Sequence, residues 1–149
     1  MTSHQEELAF VVNLHSYGNQ FIYPFNGRSK NDIEERRPGI LPIFEKIAKE
    51  APFMPDTKKG NAKDVIGETV GGDQDDWTLG ELGIPSVTAE IGSELQFIHE
   101  WQAADPATAQ NIVEEQSGWM EYIFDHLPEY QKAKEEASAP KPKPKEEAK

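Results

Sequence analysis

Two polar side chains that end apolar runs are where this sequence could do chemistry. The stretch Asn13–Gly27, NLHSYGNQFIYPFNG, carries His15 out of the apolar run LAFVVNL, and a second apolar run, QFIYP, follows at once. An imidazole at the end of a buried strand is rigidly placed to ligate a metal, and it is equally an ordinary structural histidine. Further on, PSVTAEI puts Glu90 on the polar face of an alternating strand. That is a place for a proton-carrying carboxylate or for a plain solvent-facing one. Asp75, in GGDQDDW, reads by itself as turn chemistry after two glycines. His4-Gln5-Glu6-Glu7 forms a His-x-x-Glu pair whose two ends would share one face of a helix.

The elements that must position these groups alternate between strand and helix, which defines an α/β class. Leu8–Leu14 is almost continuously apolar, the pattern of a strand buried on both faces. Phe21–Phe25 gives a second short strand, stopped by Pro24 and then by Asn26-Gly27. Residues 28–38 read as a charged surface loop. Ile40, Leu41, Phe44, Ile47, Ala48 and Ala51 recur at helical spacing, and Pro52 ends that helix. Pro52–Asp76 shows little periodicity and reads as one long loop, a kind that tends to be functional. Trp77–Leu82 is a short helix ended by Gly83. In Pro85–Ile91, Val87, Ala89 and Ile91 share one face, and Ser86, Thr88 and Glu90 share the other. Asp105 and Pro106 open a last long helix as N-cap and first residue, with an apolar stripe running to Leu127 and Pro128 just past its end.

Composition bounds the rest. A chain of 149 residues that is 36% hydrophobic suits one domain with a real core. From Gln131 onward no large apolar residue occurs, so residues 131–149 read as a disordered Lys/Glu/Pro tail and residues 1–130 as the folded domain. Six lysines and four glutamates give that tail a net of +2, which leaves −14 of the chain's −12 on the preceding part. So acidic a body would repel nucleic-acid phosphate and anionic lipid, so neither nucleic acid nor membrane is expected as a partner. The chain has no cysteine, which excludes disulfides and thiolate metal sites.

Two segments together resemble a known family. The strand leading to His15-Ser16-Tyr17-Gly18, followed by Tyr23-Pro24-Phe25-Asn26-Gly27, looks like the third zinc-ligand segment of the zinc metallocarboxypeptidases, the A/B-like peptidase family M14. GGDQDDWTLGELGIPSVTAEIG resembles that family's later stretch, and the order agrees over residues 8–127. The resemblance implies an α/β fold: the C-terminal half only of a mixed-sheet carboxypeptidase-like domain, with helices packed on the sheet. It implies that His15 is a zinc ligand, Glu90 the catalytic acid/base, Ser16 and Tyr17 cleft-lining, and Asp75 the selector of the substrate's C-terminal side chain. An acid at Asp75 is similar to members that remove Lys or Arg.

The resemblance also implies what the chain lacks. The family's other two zinc ligands form a His-x-x-Glu pair upstream, and the His4–Glu7 pair sits on the wrong approach to replace it. The family's mobile tyrosine corresponds in place to Gly67. The expected function is hydrolysis of C-terminal peptide bonds with Zn2+ as cofactor, here with one of three protein ligands present and the chain inactive alone. Peptide or protein C-termini would be the substrates, and a missing N-terminal half a further partner. The alternative is a non-catalytic binding module descended from the same fold.

Overall fold

The computed structural model describes residues 4–27, 31–93 and 106–138. Four strands build one sheet: Val11–His15 (β1), Gln20–Ile22 (β2), Lys58–Gly60 (β3) and Ser86–Glu90 (β4). Their spatial order is β1-β4-β2-β3. β1 runs parallel to β4 and β3 parallel to β2, while β2 and β4 are antiparallel, so the sheet is mixed. The helices are Asn31–Arg36 (α1), Leu41–Glu50 (α2), Ala62–Ile66 (α3), Gln74–Leu82 (α4), Pro106–Asp125 (α5) and Leu127–Ser138 (α6).

The alternation of β4 divides the molecule. Val87 and Ala89 face the core with Phe21 of β2, against Phe44 and Ile47 of α2 and Trp119 and Ile123 of α5. Aromatic rings fill this layer edge to face and stacked. Phe21 meets Trp119 at 5.8 Å, and Tyr23 stacks on Phe44 at 5.3 Å. The opposite face carries Ser86, Thr88 and Glu90 and is covered by α3 and α4, which contact β2, β3 and β4.

Several expectations need correction. β1 is not buried on both faces. It pairs with β4 alone among the described strands, and Val12 and Leu14 are 36% and 52% exposed. The surface loop over 28–38 contains α1, because Ile33 is driven fully into the core. Pro52–Asp76 is not one loop. Asn61 caps α3 by accepting from Asp64 N at 3.0 Å, and Gly67 closes it in the left-handed conformation at φ 83°. A tyrosine at position 67 would be strained in that backbone, which accounts for the glycine.

Pro128 does not end the helical region; it lies in the first turn of α6, where its missing N–H is tolerated. α6 then runs through residue 131, where the tail was expected to begin. Tyr130 is fully buried, and Lys134 donates to the carbonyls of Gln5, Glu6 and Leu8. The Asp105 cap, Arg28 and residues 139–149 lie outside the described residues.

One buried amide joins the polar-face elements to the sheet. Asn26, in the turn after β2, donates from Nδ2 to Asp73 Oδ2 at 2.6 Å, and its Oδ1 accepts from Ala62 N at 2.8 Å. Its backbone N–H donates to Asp76 Oδ1 at 2.7 Å, and its carbonyl accepts from Val70 N at 3.0 Å. The start of α3, the stretch before α4 and the first turn of α4 are thereby tied to one residue. Replacing Asn26 by alanine strands the buried Ala62 N–H and takes a donor from the half-buried Asp73 carboxylate. Asn26→Ala should lower unfolding free energy by about 3 kcal/mol, measured by urea denaturation; a loss within error of zero would refute the hub.

Candidate functional site

Parallel pairing puts residue 15 beside residue 90 and sends both side chains to the same face. His15 Nδ1 lies 3.1 Å from Glu90 Oε1. The imidazole is largely open to solvent, with 64% of its side chain exposed, whereas Glu90 is 19% exposed. Glu90 Oε2 is buried and has no hydrogen-bond partner among the described residues. The pair therefore combines a reachable imidazole with a carboxylate held one side chain deeper.

The two groups border a cleft of about 280 Å3. Asn13, His15, Gln20, Thr88 and Glu90 form its polar floor, and Ile22, Ala62, Ile66 and Val70 its apolar wall. Asp73 and Gln74, at the start of α4, close one end. Asp73 is the N-cap, accepting from Asp75 N at 2.8 Å.

Asp75 is brought near this cleft but is not among its lining residues. It is fully buried, one hydroxyl behind the floor. Asn13 Nδ2 donates to Thr88 Oγ1 at 3.2 Å, and Thr88 donates in turn to Asp75 Oδ2 at 2.6 Å. Asp75 Oδ1 has no partner among the described residues. Burial pushes the Asp75 carboxyl up to about 7; the Thr88 hydrogen bond opposes this, and the charges of Asp73 and Asp76 add to it. Ser16 and Tyr17 follow His15 onto an exposed loop and do not line the cleft either.

His4 and Glu7 do approach each other, at 3.4 Å, but both are well exposed on the N-terminal turn. Arg37 is committed to the carbonyls of Leu79 and Gly80, and Arg36 lies over the Phe25 ring. Among the described residues no group of three His, Asp or Glu side chains could hold a metal ion. A catalytic zinc needs three protein ligands and one open position. The described donor set, His15 beside Glu90, does not fit that requirement.

Sequence reasoning missed Asn26, Gln20, Ile22 and the Ile66–Val70 wall. Asn26-Gly27 carried only a strand-end signal, and the wall is assembled from segments distant in sequence. The Asp73 cap had a local signal, an Asp directly before a helical stretch.

The Asp75 result has a pH signature. Its folded value lies above its ordinary 3.8, so the folded protein retains a proton that the unfolded chain releases. Stability is highest below the unfolded value and falls as pH rises through about 7. Asp75→Asn should flatten that slope and stabilise the protein at neutral pH, as read from denaturation midpoints across the window; an unchanged slope would contradict the assignment.

The zinc carboxypeptidase family model, peptidase M14, matches residues 1–113. No curated protein matches the chain. The match overturns the expectation of a C-terminal half only, for family and fold alike. It begins at residue 1 and covers the N-terminal and larger part of the chain. All four strands, α1 to α4 and the start of α5 lie inside it, because the segments that build the mixed sheet and both of its faces precede residue 113. A match over most of the sequence, on a mixed-sheet α/β fold, means that the chain belongs to the zinc carboxypeptidase family.

Proposed function

We propose that the cleft is a peptidase site of the carboxypeptidase type, acting on C-terminal peptide bonds with preference for Lys or Arg, in which Glu90 is the proton-transferring residue. The observation that carries this reading is the 3.1 Å approach of His15 Nδ1 to Glu90 Oε1 at the rim of a cleft, in a member of a family of zinc peptidases. A carboxylate whose second oxygen is buried, with no partner among the described residues, suits taking a proton from an attacking water and returning it to a leaving amine. His15 is the ligand this chain contributes toward a metal. Ser16 and Tyr17 stand at the approach to the cleft, and Asp75, one hydroxyl beneath its floor, is the selector of the substrate's side chain.

The donor set limits what the chain does alone. One imidazole beside one carboxylate neither holds zinc tightly nor fixes its geometry, so the isolated chain is inactive. The second reading is a non-catalytic binding module of the same fold, which the want of three metal-capable side chains together among the described residues favours.

Elemental analysis of the purified 149-residue chain after dialysis against trace zinc should find far less than one zinc per chain. A peptide ending in Lys or Arg should remain intact beside it. Stoichiometric zinc with turnover would establish the isolated chain as a working peptidase, and Glu90→Gln should then slow it by about 10²–10⁴-fold.

A further inference from the structure

We infer that Asn26-Gly27 is a self-modification site, an asparagine that cyclises onto its own backbone and loses ammonia when the elements around it open, so that the opening becomes irreversible. The site is the residue that anchors the cleft wall, and its chemistry holds whether or not the cleft hydrolyses peptides.

Sequence supplies the reactivity. Asn26 is the one asparagine of the chain that glycine follows. With no side chain on residue 27, the backbone nitrogen there can approach the Asn26 carboxamide carbon closely. The step balances within the chain and water. Gly27 N loses its proton and bonds to Asn26 Cγ, the Cγ–Nδ2 bond breaks, and Nδ2 leaves with that proton as ammonia. A water molecule then opens the five-membered imide, either to aspartate or to isoaspartate, in which the main chain continues through Cγ.

The closed structure withholds each group that the reaction uses. Gly27 N donates to Asp76 Oδ2 at 3.1 Å, which engages the proton it must lose. Asn26 Nδ2 donates to Asp73 Oδ2 at 2.6 Å and Oδ1 accepts from Ala62 N at 2.8 Å, so the carboxamide is fixed at both ends. Asn26 is also fully buried. Turning Cγ onto Gly27 N breaks all three bonds, and a local opening breaks them together. The surroundings favour such an opening: α3 buries Ala62 and Val65 in a small cluster with Ile22, apart from the main core. Once formed, the product cannot close again. A carboxylate at residue 26 has no N–H for Asp73 Oδ2, and it adds a third negative charge beside Asp73 and Asp76. Chemistry on the opened state thereby turns a reversible fluctuation into a permanent loss.

Peptide mapping of the full chain by mass spectrometry reads the exchange of amide for acid at residue 26 during incubation at neutral pH, and does not depend on peptidase activity. The folded chain should convert about tenfold or more slowly than the chain unfolded in urea. Below the unfolding midpoint the rate should climb with the opened fraction. Gly27→Ala should slow the reaction of the unfolded chain about tenfold. Asn26→Asp, which is the product made by substitution, should unfold at lower urea than the parent. Chain that has lost the amide while unfolded should show the same deficit after the urea is removed. Equal rates in the folded and unfolded chain, an unfolded chain that keeps its amide, or an Asn26→Asp variant as stable as the parent would overturn the inference.

Discussion

A single buried carboxamide holds the functional half of this molecule in place. The elements above the polar face, α3, the Gly67–Gly72 stretch and α4, contribute few large apolar side chains, so burial alone anchors them weakly. Asn26 replaces bulk with direction. Its four short hydrogen bonds reach the first residue of α3, Val70, and two aspartates at the head of α4. Asn26 is fully buried, and its bond from Ala62 N acts where water does not compete, while those to Asp73 and Asp76 lie half-buried. The cleft wall keeps its distance from the floor through one residue in the turn after β2.

Strand register supplies the other half of the site. His15 meets Glu90 because β1 and β4 run parallel, with residue 11 opposite residue 86 and each following pair in step. A slip of one residue would turn Glu90 toward Phe21 and Trp119 and present Ala89 to the cleft. The core residues Val87 and Ala89 forbid that slip, since it would expose them and bury Ser86, Thr88 and Glu90 unpaired. The packing of the aromatic layer thus places a carboxylate on the far side of the sheet. Behind it, Asp75 is a buried acid that one threonine hydroxyl connects to the cleft floor. Its burial opposes ionisation, which couples the cleft's electrostatics to stability.

The acidic character of the body takes a local form at the cleft. A net charge of −12 spread over a surface speaks to solubility. Two carboxylates border one cleft, one with an oxygen buried and without a partner among the described residues, and the nearby arginines are bound elsewhere.

Much of this was legible in the sequence. Alternation in PSVTAEI named both faces of β4 correctly, because a period of two is imposed by backbone geometry and survives any tertiary context. The helical spacing over 40–51 held for the same kind of reason, and His15 and Glu90 stood out as polar groups ending apolar runs. What the sequence could not decide was which segments meet. β1 reads as buried because its residues are apolar, yet exposure depends on how many strands flank it. Asp75 reads as a turn residue, yet α4 folds it under the sheet. Asn26 reads as the end of a strand, and only the convergence of three distant segments makes it a hub. Local backbone preference is written residue by residue, whereas burial and hydrogen-bond partnership belong to pairs far apart in the chain and exist only once the sheet has closed against its helices.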